Sequence, residues 1–234
     1  MTAGTLYLIP APLGEGDITW TIPDAVRERV LALDCLIVEH PKTARKFLKQ
    51  AGCERLQSVR MFVLDAHTPA TELEKLLQPL AAGCDMGLLS EAGCPAVADP
   101  GTGFIGLAHK KGIRVVPLVG PSSLLLGLMA SGLNGQRFAF HGYLPIDQNA
   151  LAVKLVELEK ESRTRDQTQI FIETPYRNQK LLSRIVSTCG DNTILSVSSG
   201  LTTVNEFIST KIVRDWRLDL PNLHGRPTVF LLHG

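Results

Sequence analysis

The chain has 234 residues, of which 44% are hydrophobic and 20% are charged, and this composition predicts a packed globular protein rather than a disordered one. No apolar stretch is long enough to cross a bilayer, and the strand signal that starts at Thr5 leaves no room for a signal peptide. The formal net charge of +1 excludes a uniformly basic surface, so any contact with nucleic acid must depend on a local patch.

The cysteine and histidine patterns predict neither disulfides nor a metal site. The five cysteines include no C-x-x-C pair and their number is odd, which is typical of reduced thiols in the cytoplasm. The six histidines are scattered and none has the paired spacing of metal ligands, so we predict no metal. We therefore expect a cytoplasmic protein.

Strands and helices alternate along the first half of the chain. Apolar runs predict strands over residues 5–9, 35–38, 61–64, 86–89 and 113–118. Helical periodicity predicts a helix after each of the first four strands. The first is predicted to begin at residues 21–23 and the third at residues 68–69, whereas the second should span residues 44–51 and the fourth residues 104–111. This alternation predicts a parallel sheet with right-handed crossovers, so the loops of residues 10–17, 39–42 and 90–101 should meet at one edge.

The loop that follows the fourth strand is the best candidate for a ligand-binding segment. Residues 88–103 (LLSEAGCPAVADPGTG) combine small residues, which leave backbone groups accessible, with the carboxylates of Glu91 and Asp99. Ligands of open α/β sheets bind outside the carboxyl ends of strands, which is where this loop is predicted to lie. An ordinary long turn is the alternative interpretation.

The second half of the chain has a different pattern. A helix is predicted to start at residues 120–123 (GPSS) and to end near Gly132, and further helices are predicted over residues 150–161 and up to Cys189. Strands are predicted over residues 138–141, 169–172, 193–197, 206–214 and 228–232. Because the last three strands leave little room for helices, we expect a mixed or antiparallel sheet and an α+β domain. The boundary is predicted near Val119, giving domains of residues 1–119 and 120–234.

Common nucleotide and hydrolase motifs do not account for this pattern. Gly101, Gly103 and Gly106 form a literal G-x-G-x-x-G, but about ten residues separate it from the preceding strand, which argues against a dinucleotide site. No G-x-x-x-x-G-K-S/T and no G-x-S-x-G is present. The helix start at residues 120–123 can bind a carboxylate or phosphate through its backbone N–H groups, or it can be an ordinary helix start.

Several of these loops share a pattern with one known family. They are, in chain order, PAPLG (residues 10–14), DIT (17–19), SEAGCP (90–95), DPG (99–101), PLVGPSS (117–123), GYLP (142–145) and IETPYR (172–177). In these segments the chain resembles the tetrapyrrole-methylase class of S-adenosylmethionine (AdoMet) methyltransferases, and most of all its 16S ribosomal RNA cytidine 2'-O-methyltransferase group. The motifs keep the same order from Thr5 to about Leu232.

Two loops depart from the family pattern. Residues 38–42 (VEHPK) keep only Glu39 of the family's A-E-D-T-R, and residues 199–203 (SGLTT) lack the three charged side chains of R-E-L-T-K. Many members also carry a further segment after the last strand, whereas the 234 residues end just after the last predicted strand. The loops expected to bind the cofactor therefore follow the family more closely than the loops expected to bind the substrate.

The resemblance implies a two-domain tetrapyrrole-methylase fold, with an N-terminal parallel-sheet α/β domain, a C-terminal α+β domain and the cofactor cleft between them. It also implies a homodimer and an RNA substrate, with a ribosomal subunit as the partner and no membrane partner. By position, AdoMet is expected to contact Pro12, Ser90, Glu91, Ala92, Gly93, Pro95, Val97, Ser122, Ser123, Glu173, Leu201, Pro227 and Thr228.

Charged residues are the candidates for catalysis. A ribose hydroxyl is a weak nucleophile at neutral pH and reacts faster with a base within hydrogen-bond reach. Glu39 and Glu173 are the candidate bases because both lie at the ends of predicted strands. Arg177 and Lys42 can hold a phosphate or another anion. The expected activity is methyl transfer to a ribose 2'-oxygen of RNA. Methylation of a tetrapyrrole or another small molecule, and AdoMet binding without catalysis, are the alternatives.

Overall fold

Five parallel strands form the sheet of the first of two compact units in the computed structural model, which describes residues 2–234. The units divide between Ser122 and Ser123, shortly after Val119. The strands of the first unit are β1 (Thr5–Ile9), β2 (Cys35–Val38), β3 (Arg60–Val63), β4 (Met86–Leu89) and β5 (Arg114–Pro117). Their order across the sheet is β3-β2-β4-β1-β5. Strands β2 and β4 are buried over their whole length, as apolar strands inside a parallel sheet usually are.

Helices cover both faces of this sheet. They are α1 (Asp24–Leu31), preceded by a short 3₁₀ turn (Ile18–Trp20), α2 (Pro41–Ala51), α3 (Ala70–Leu76), α4 (Gln78–Ala81) and α5 (Thr102–Lys110). Ile9 and Leu36 pack with residues of α1 and α2 in one core, whereas Leu6 and Ile37 pack with residues of α3, α4 and α5 in the other. Successive side chains of a strand point to opposite faces, so each strand contributes to both cores.

The chain changes direction across the sheet at the neighbouring strands β1 and β4. After β1 the chain passes through α1, on one face, to β2, whereas after β4 it passes through α5, on the opposite face, to β5. The carboxyl ends of β1 and β4 therefore form a topological switch point, which is where open α/β sheets bind their ligands.

The second unit contains a mixed sheet. Its strands are β6 (Phe138–Tyr143), β7 (Thr168–Glu173), β8 (Ile194–Ser199), β9 (Phe207–Ile212) and β10 (Thr228–His233). They are ordered β6-β7-β10-β8-β9, with β6 and β7 parallel and the other neighbours antiparallel. The helices are α6 (Ser123–Ser131), α7 (Gln148–Arg165), α8 (Asn178–Thr188) and α9 (Val213–Trp216). Two cores, one shared with α7 and α8 and one with α6, lie on the two faces.

The fold class predicted from the sequence is confirmed. The strand predicted over residues 206–214 is too long, because it ends at Ile212 and the unpredicted helix α9 follows. The other differences concern where helices begin and end. Helix α2 begins at Pro41 rather than at Ala44, because proline is favoured at the first helical position. Helix α7 is longer than predicted because the Asp147 side chain caps its first turn. The single helix expected after Pro69 is instead α3 and α4, since Pro79 lacks the N–H that would continue the hydrogen bonds of α3. No helix within residues 2–234 is both long and apolar enough to span a membrane.

Candidate active site

The loops after β1 and β4 are joined directly at the switch point. Ala11 and Gly93 form an isolated antiparallel bridge, in which each backbone N–H donates to the other's carbonyl oxygen at 2.9 Å. Gly93 has a φ of 71°, a conformation that glycine adopts without steric cost. A Cβ at this position would lie 3.3 Å from Leu13 Cδ2. The glycine therefore allows the two loops to approach closely and fixes the geometry of the site.

A pocket of about 220 Å³ lies beside this bridge, within the first unit. Four of the residues predicted to bind the cofactor line it, namely Pro12, Ser90, Glu91 and Ala92. Whole drug-sized ligands usually occupy pockets of about 300–1,000 Å³, so this pocket has room for part of such a ligand.

Helix α2 forms another wall of the pocket, which the sequence-based site prediction missed. The lining residues from this helix are Thr43, Ala44, Lys46, Phe47 and Gln50. The Thr43 hydroxyl lies 2.8 Å from Glu91 Oε1, so it holds that carboxylate at the pocket. The signal that could have found this wall is Pro41. It places the first turn of α2 directly after β2, at the carboxyl edge of the sheet.

Three carboxyl groups meet at this edge of the sheet. The Ser90 hydroxyl donates a hydrogen bond to Asp99, a residue that was absent from the predicted site. Burial raises the pKa of Asp99; the hydrogen bond from Ser90 opposes this shift and nearby Glu91 adds to it. Burial also raises the pKa of Glu39, and the negative charges of Asp99 and Glu91 raise it further. His40 lowers the pKa of Glu39, and its Nδ1 lies 3.7 Å from Glu91 Oε1.

The cluster of carboxyl groups has no lysine or arginine partner. Within residues 2–234, no lysine or arginine nitrogen lies within ion-pair distance of Glu39, Glu91 or Asp99. A concentration of uncompensated negative charge favours a cationic ligand, and carboxylate oxygens accept hydrogen bonds from hydroxyl and amino groups. This set of acceptors fits a ligand that carries a positive charge together with hydroxyl or amino groups.

The segment after Glu91 is strained. Ala96 and Ala98 have φ values of 62° and 56°, in the left-handed region that alanine rarely adopts. Gly101, with a φ of 124°, completes the turn into α5. Backbone strain of this kind concentrates at ligand sites, where the surrounding structure maintains it.

We expect Ala98→Gly to raise the free energy of unfolding by about 0.5–1 kcal/mol. Left-handed backbone costs alanine about 1–2 kcal/mol, and the extra chain entropy of glycine offsets only part of that cost. Urea unfolding measures the difference. The control is Ala92→Gly in the same loop. Ala92 is exposed and has no positive φ, so glycine should lower the free energy of unfolding there. A less stable Ala98→Gly protein would contradict the assignment of strain.

In the second unit, a buried carboxylate ends strand β7. The Glu173 side chain is only 8% exposed; it accepts hydrogen bonds from the Thr174 backbone N–H at 2.6 Å and from Arg177 Nη2 at 2.7 Å. Arg177 Nε also donates to Thr174 Oγ1 at 3.2 Å. The guanidinium is thus held at both ends, and Glu173 is a fixed acceptor whose charge is already compensated.

Three further predicted residues of this unit, Leu201, Pro227 and Thr228, belong to segments close to Glu173. Thr228 is its cross-strand partner on β10, and Ser199 on β8 is the cross-strand partner of Thr228. These three side chains share one face of the sheet, because directly opposed residues point the same way. The Gly200 N–H donates to Pro227 O at 3.0 Å, which brings the segment of buried Leu201 beside the Pro227-Thr228 pair. Ser199 Oγ is buried and has no hydrogen-bond partner within residues 2–234.

The predicted site residues are divided between the two units. Glu39 and the residues from Pro12 to Ser122 belong to the first unit, and Ser123, Leu201, Pro227, Thr228, Glu173 and Arg177 belong to the second. Gly93 and Pro95 are buried, whereas Val97 is 46% exposed. Ser122 and Ser123 lie on either side of the division between the units, and α6 begins at Ser123.

Curated relatives match the chain over most of its length. A protein of Vibrio cholerae named "Ribosomal RNA small subunit methyltransferase I" is 31% identical over 236 residues, which cover 99% of this chain and 78% of the relative. A protein of Xylella fastidiosa with the same name is 32% identical over 208 residues, 88% of this chain and 72% of the relative. The chain belongs to the ribosomal RNA small subunit methyltransferase I family.

Membership of this family makes the chain a methyltransferase and confirms the predicted tetrapyrrole-methylase class. A third member, from Escherichia coli O157:H7, is 32% identical over 206 residues, which cover 88% of this chain and 68% of the relative. Family models were also compared, and none of them matches.

A solved structure supports the fold assignment of the family. The crystal structure of the methyltransferase CobJ matches with a TM-score of 0.66, over 99% of this chain and 95% of CobJ. At 17% sequence identity this likeness establishes the shared fold alone. A shared fold does not determine the substrate, which depends on the residues at the site.

Proposed function

We propose that this methyltransferase uses AdoMet to methylate a ribose 2'-oxygen in RNA of the small ribosomal subunit. One observation carries the choice of substrate: relatives named for small-subunit ribosomal RNA align over 88–99% of the chain at 31–32% identity. The 2'-oxygen follows from the resemblance of the loop motifs to the cytidine 2'-O-methyltransferase group. The alternative of a tetrapyrrole substrate has weaker support, since the likeness to CobJ extends to the fold only.

Residues of each unit, taken separately, are proposed as cofactor contacts. In the first unit, Pro12, Glu91 and Ala92 line the pocket, and Gly93 holds the loops together. In the second unit, the buried Ser199 hydroxyl lacks a partner, which supports a role in binding a polar ligand group beside Thr228. Ser90, Pro95, Val97, Ser122, Ser123, Leu201 and Pro227 complete the proposed contacts.

Different chemical roles follow for the two candidate bases. When bound, AdoMet supplies a methyl group activated by a positively charged sulfur. Glu39 has a raised pKa and a basic oxygen without an ion-pair partner, so it is suited to accept the proton of an attacking hydroxyl. Glu173 is held by Arg177 and a backbone N–H, so it is better suited to orient bound groups than to take up a proton.

The experiment that tests this function follows the methyl group. Purified protein is incubated with radiolabelled AdoMet and either total RNA, small ribosomal subunits or a small-molecule extract from a strain that lacks the gene. We expect label in small-subunit RNA, at a linkage that resists alkaline hydrolysis because its 2'-oxygen is blocked. Label confined to the small-molecule extract would contradict the RNA substrate.

The assembly and location form part of the same proposal. We propose a homodimer that acts in the cytoplasm, where a ribosomal subunit is accessible. Sedimentation equilibrium of the purified protein measures the mass of the assembly, and a mass close to the 25.5 kDa of one chain would contradict the dimer. Fractionation of cells that express the tagged chain tests the location.

A further inference from the structure

The exposed face of α2 concentrates positive charge. Lys42, Arg45, Lys46 and Lys49 all lie on this helix, and no aspartate or glutamate occurs between His40 and Cys53. We call these four residues the α2 basic stripe. The chain as a whole has a formal net charge of only +1, so a stripe of four cations is a local concentration and not a property of the entire surface.

Helix geometry places the four cations on one side. With about 100° of rotation per residue, positions 42, 45, 46 and 49 lie within an arc of about 100°. The buried residues of the helix, Ala44, Phe47, Leu48 and Ala51, are centred on the opposite side. The hydrophobic core thus anchors the helix, and the charged side chains project together into solvent.

The stripe has little internal neutralisation. Lys46 Nζ lies 2.8 Å from Glu15 Oε1. Among residues 2–234, the other three cations of the stripe form no ion pair. Helix α7 provides the contrast, because glutamates alternate with its cations and two of those cations form ion pairs, Lys154 with Glu157 and Arg165 with Glu161. A helix that bears cations without carboxylates is destabilised by like-charge repulsion, which a polyanionic ligand would relieve.

The position of the stripe indicates which ligand it serves. Lys46, together with Thr43 and Gln50, lines the pocket at the switch point, so the stripe leads directly to the proposed reaction site. From Lys42 to Lys49 the helix rises about 10 Å, enough to follow several consecutive phosphates of one strand. We propose that the α2 basic stripe binds the phosphate backbone of the RNA on the approach to the target nucleotide. This inference rests on the proposed function.

An anionic membrane surface is a poorer match for the same charges. Helices that bind membranes in this way insert an apolar face next to their basic residues. The apolar side of α2 is already buried in the core of the unit, and the residues beside the stripe are polar. RNA phosphates require only the cations, so RNA is the partner that the helix favours.

The test compares two pairs of charge removals. One protein carries Arg45→Gln and Lys49→Gln, which are exposed and lie outside the pocket lining. The matched control carries Lys160→Gln and Arg163→Gln, an exposed lysine and arginine on α7. Both proteins, and the unmodified chain, are titrated with a fluorescent transcript of small-subunit ribosomal RNA over a range of salt concentrations. Calorimetry with AdoMet and urea unfolding establish that the fold and the cofactor site are intact.

Counterion release sets the expected result. Each phosphate contact to single-stranded nucleic acid contributes about 0.7 to the slope of log affinity against log salt. With two contacts removed, the slope for the Arg45→Gln/Lys49→Gln protein should be shallower by about 1.4. If the affinities are equal at 1 M salt, this protein should bind about 25-fold more weakly at 0.1 M salt. The control protein should keep the salt slope and the RNA affinity of the unmodified chain.

The outcomes separate this inference from the proposed function. Equal affinity and slope in the Arg45→Gln/Lys49→Gln protein and the control would overturn the inference, even if RNA is methylated. A loss of RNA binding confined to that protein supports the stripe, even if no methyl group reaches the RNA and the proposed function fails. Binding to phosphatidylserine vesicles without binding to RNA would also overturn it.

Discussion

Glu39→Gln is expected to reduce kcat for RNA methylation by about 100-fold or more, the usual loss when a general base is removed. Glutamine keeps the shape of the side chain but cannot accept the proton of a ribose hydroxyl. The rate of the unmodified enzyme should fall as the pH drops through the pKa of Glu39. Burial, with the charges of Asp99 and Glu91, places that pKa above the ordinary range of glutamate. The variant should lack this dependence, and single-turnover rates over a range of pH values measure both effects.

The same substitution should raise the free energy of unfolding, although it lowers kcat. Because the pKa of Glu39 is raised in the folded state, the folded protein holds this proton more tightly than the unfolded chain. The carboxyl group therefore favours folding below its unfolded pKa, and this contribution is lost as the pH rises through the folded pKa. At neutral to mildly alkaline pH, Glu39→Gln should be more stable to urea than the unmodified protein, and the difference should shrink in acid.

A matched variant and two results make this prediction decisive. Glu28→Gln on α1 removes an exposed carboxylate and should leave both kcat and its pH dependence unchanged. Full turnover by the Glu39→Gln protein would remove Glu39 from the role of base. A loss of kcat that keeps the acid limb of the profile would indicate a positioning role instead.

Gly120→Ala is expected to lower the free energy of unfolding by about 2–3 kcal/mol, through steric overlap. A Cβ at this position would lie 2.2 Å from Pro10 Cγ and 2.6 Å from Pro10 Cβ. The proline ring cannot rotate away, so the loop after β1 or the segment after β5 has to move. Since Pro10 directly precedes Ala11 and its bridge to Gly93, that movement disturbs the pocket. We also expect AdoMet affinity to fall by about tenfold or more, or about 1.4 kcal/mol.

Gly106→Ala provides the control for this substitution. Gly106 lies in the middle of α5, and apart from its chain neighbours and the backbone of α5 no atom lies within 4 Å of the position that its Cβ would occupy. Alanine in a helix interior is favoured over glycine by about 0.5–1 kcal/mol, so this variant should be more stable and bind AdoMet normally. Urea unfolding and calorimetry distinguish the two proteins. Normal AdoMet affinity in Gly120→Ala would show that the close approach to Pro10 does not position the site.

The order of the elements could be read from local patterns. A strand such as β1 or β4 is recognisable from an apolar run that ends at glycine or proline, and this signal depends on adjacent residues only. The loop motifs are local in the same sense, so they identified the family and the predicted cofactor residues Ser90 to Gly93 before any fold was known.

The contacts that give the site its chemistry are not local. Thr43 and Glu91 meet across 48 positions of the chain, and Ala11 and Gly93 meet through the order of the strands. The raised pKa of Glu39 depends on burial and on Asp99, and neither leaves a sign in the sequence around residue 39.

The sequence alone determined which segments form strands and helices, which loops carry the methyltransferase motifs, and where α2 has its basic residues. The tertiary structure decided that β1 and β4 are neighbours, that α2 forms a wall of the pocket, and that three carboxyl groups share one edge of the sheet. The reason is physical: periodicity and turn chemistry act over a few residues, whereas strand order and burial depend on packing between distant parts of the chain.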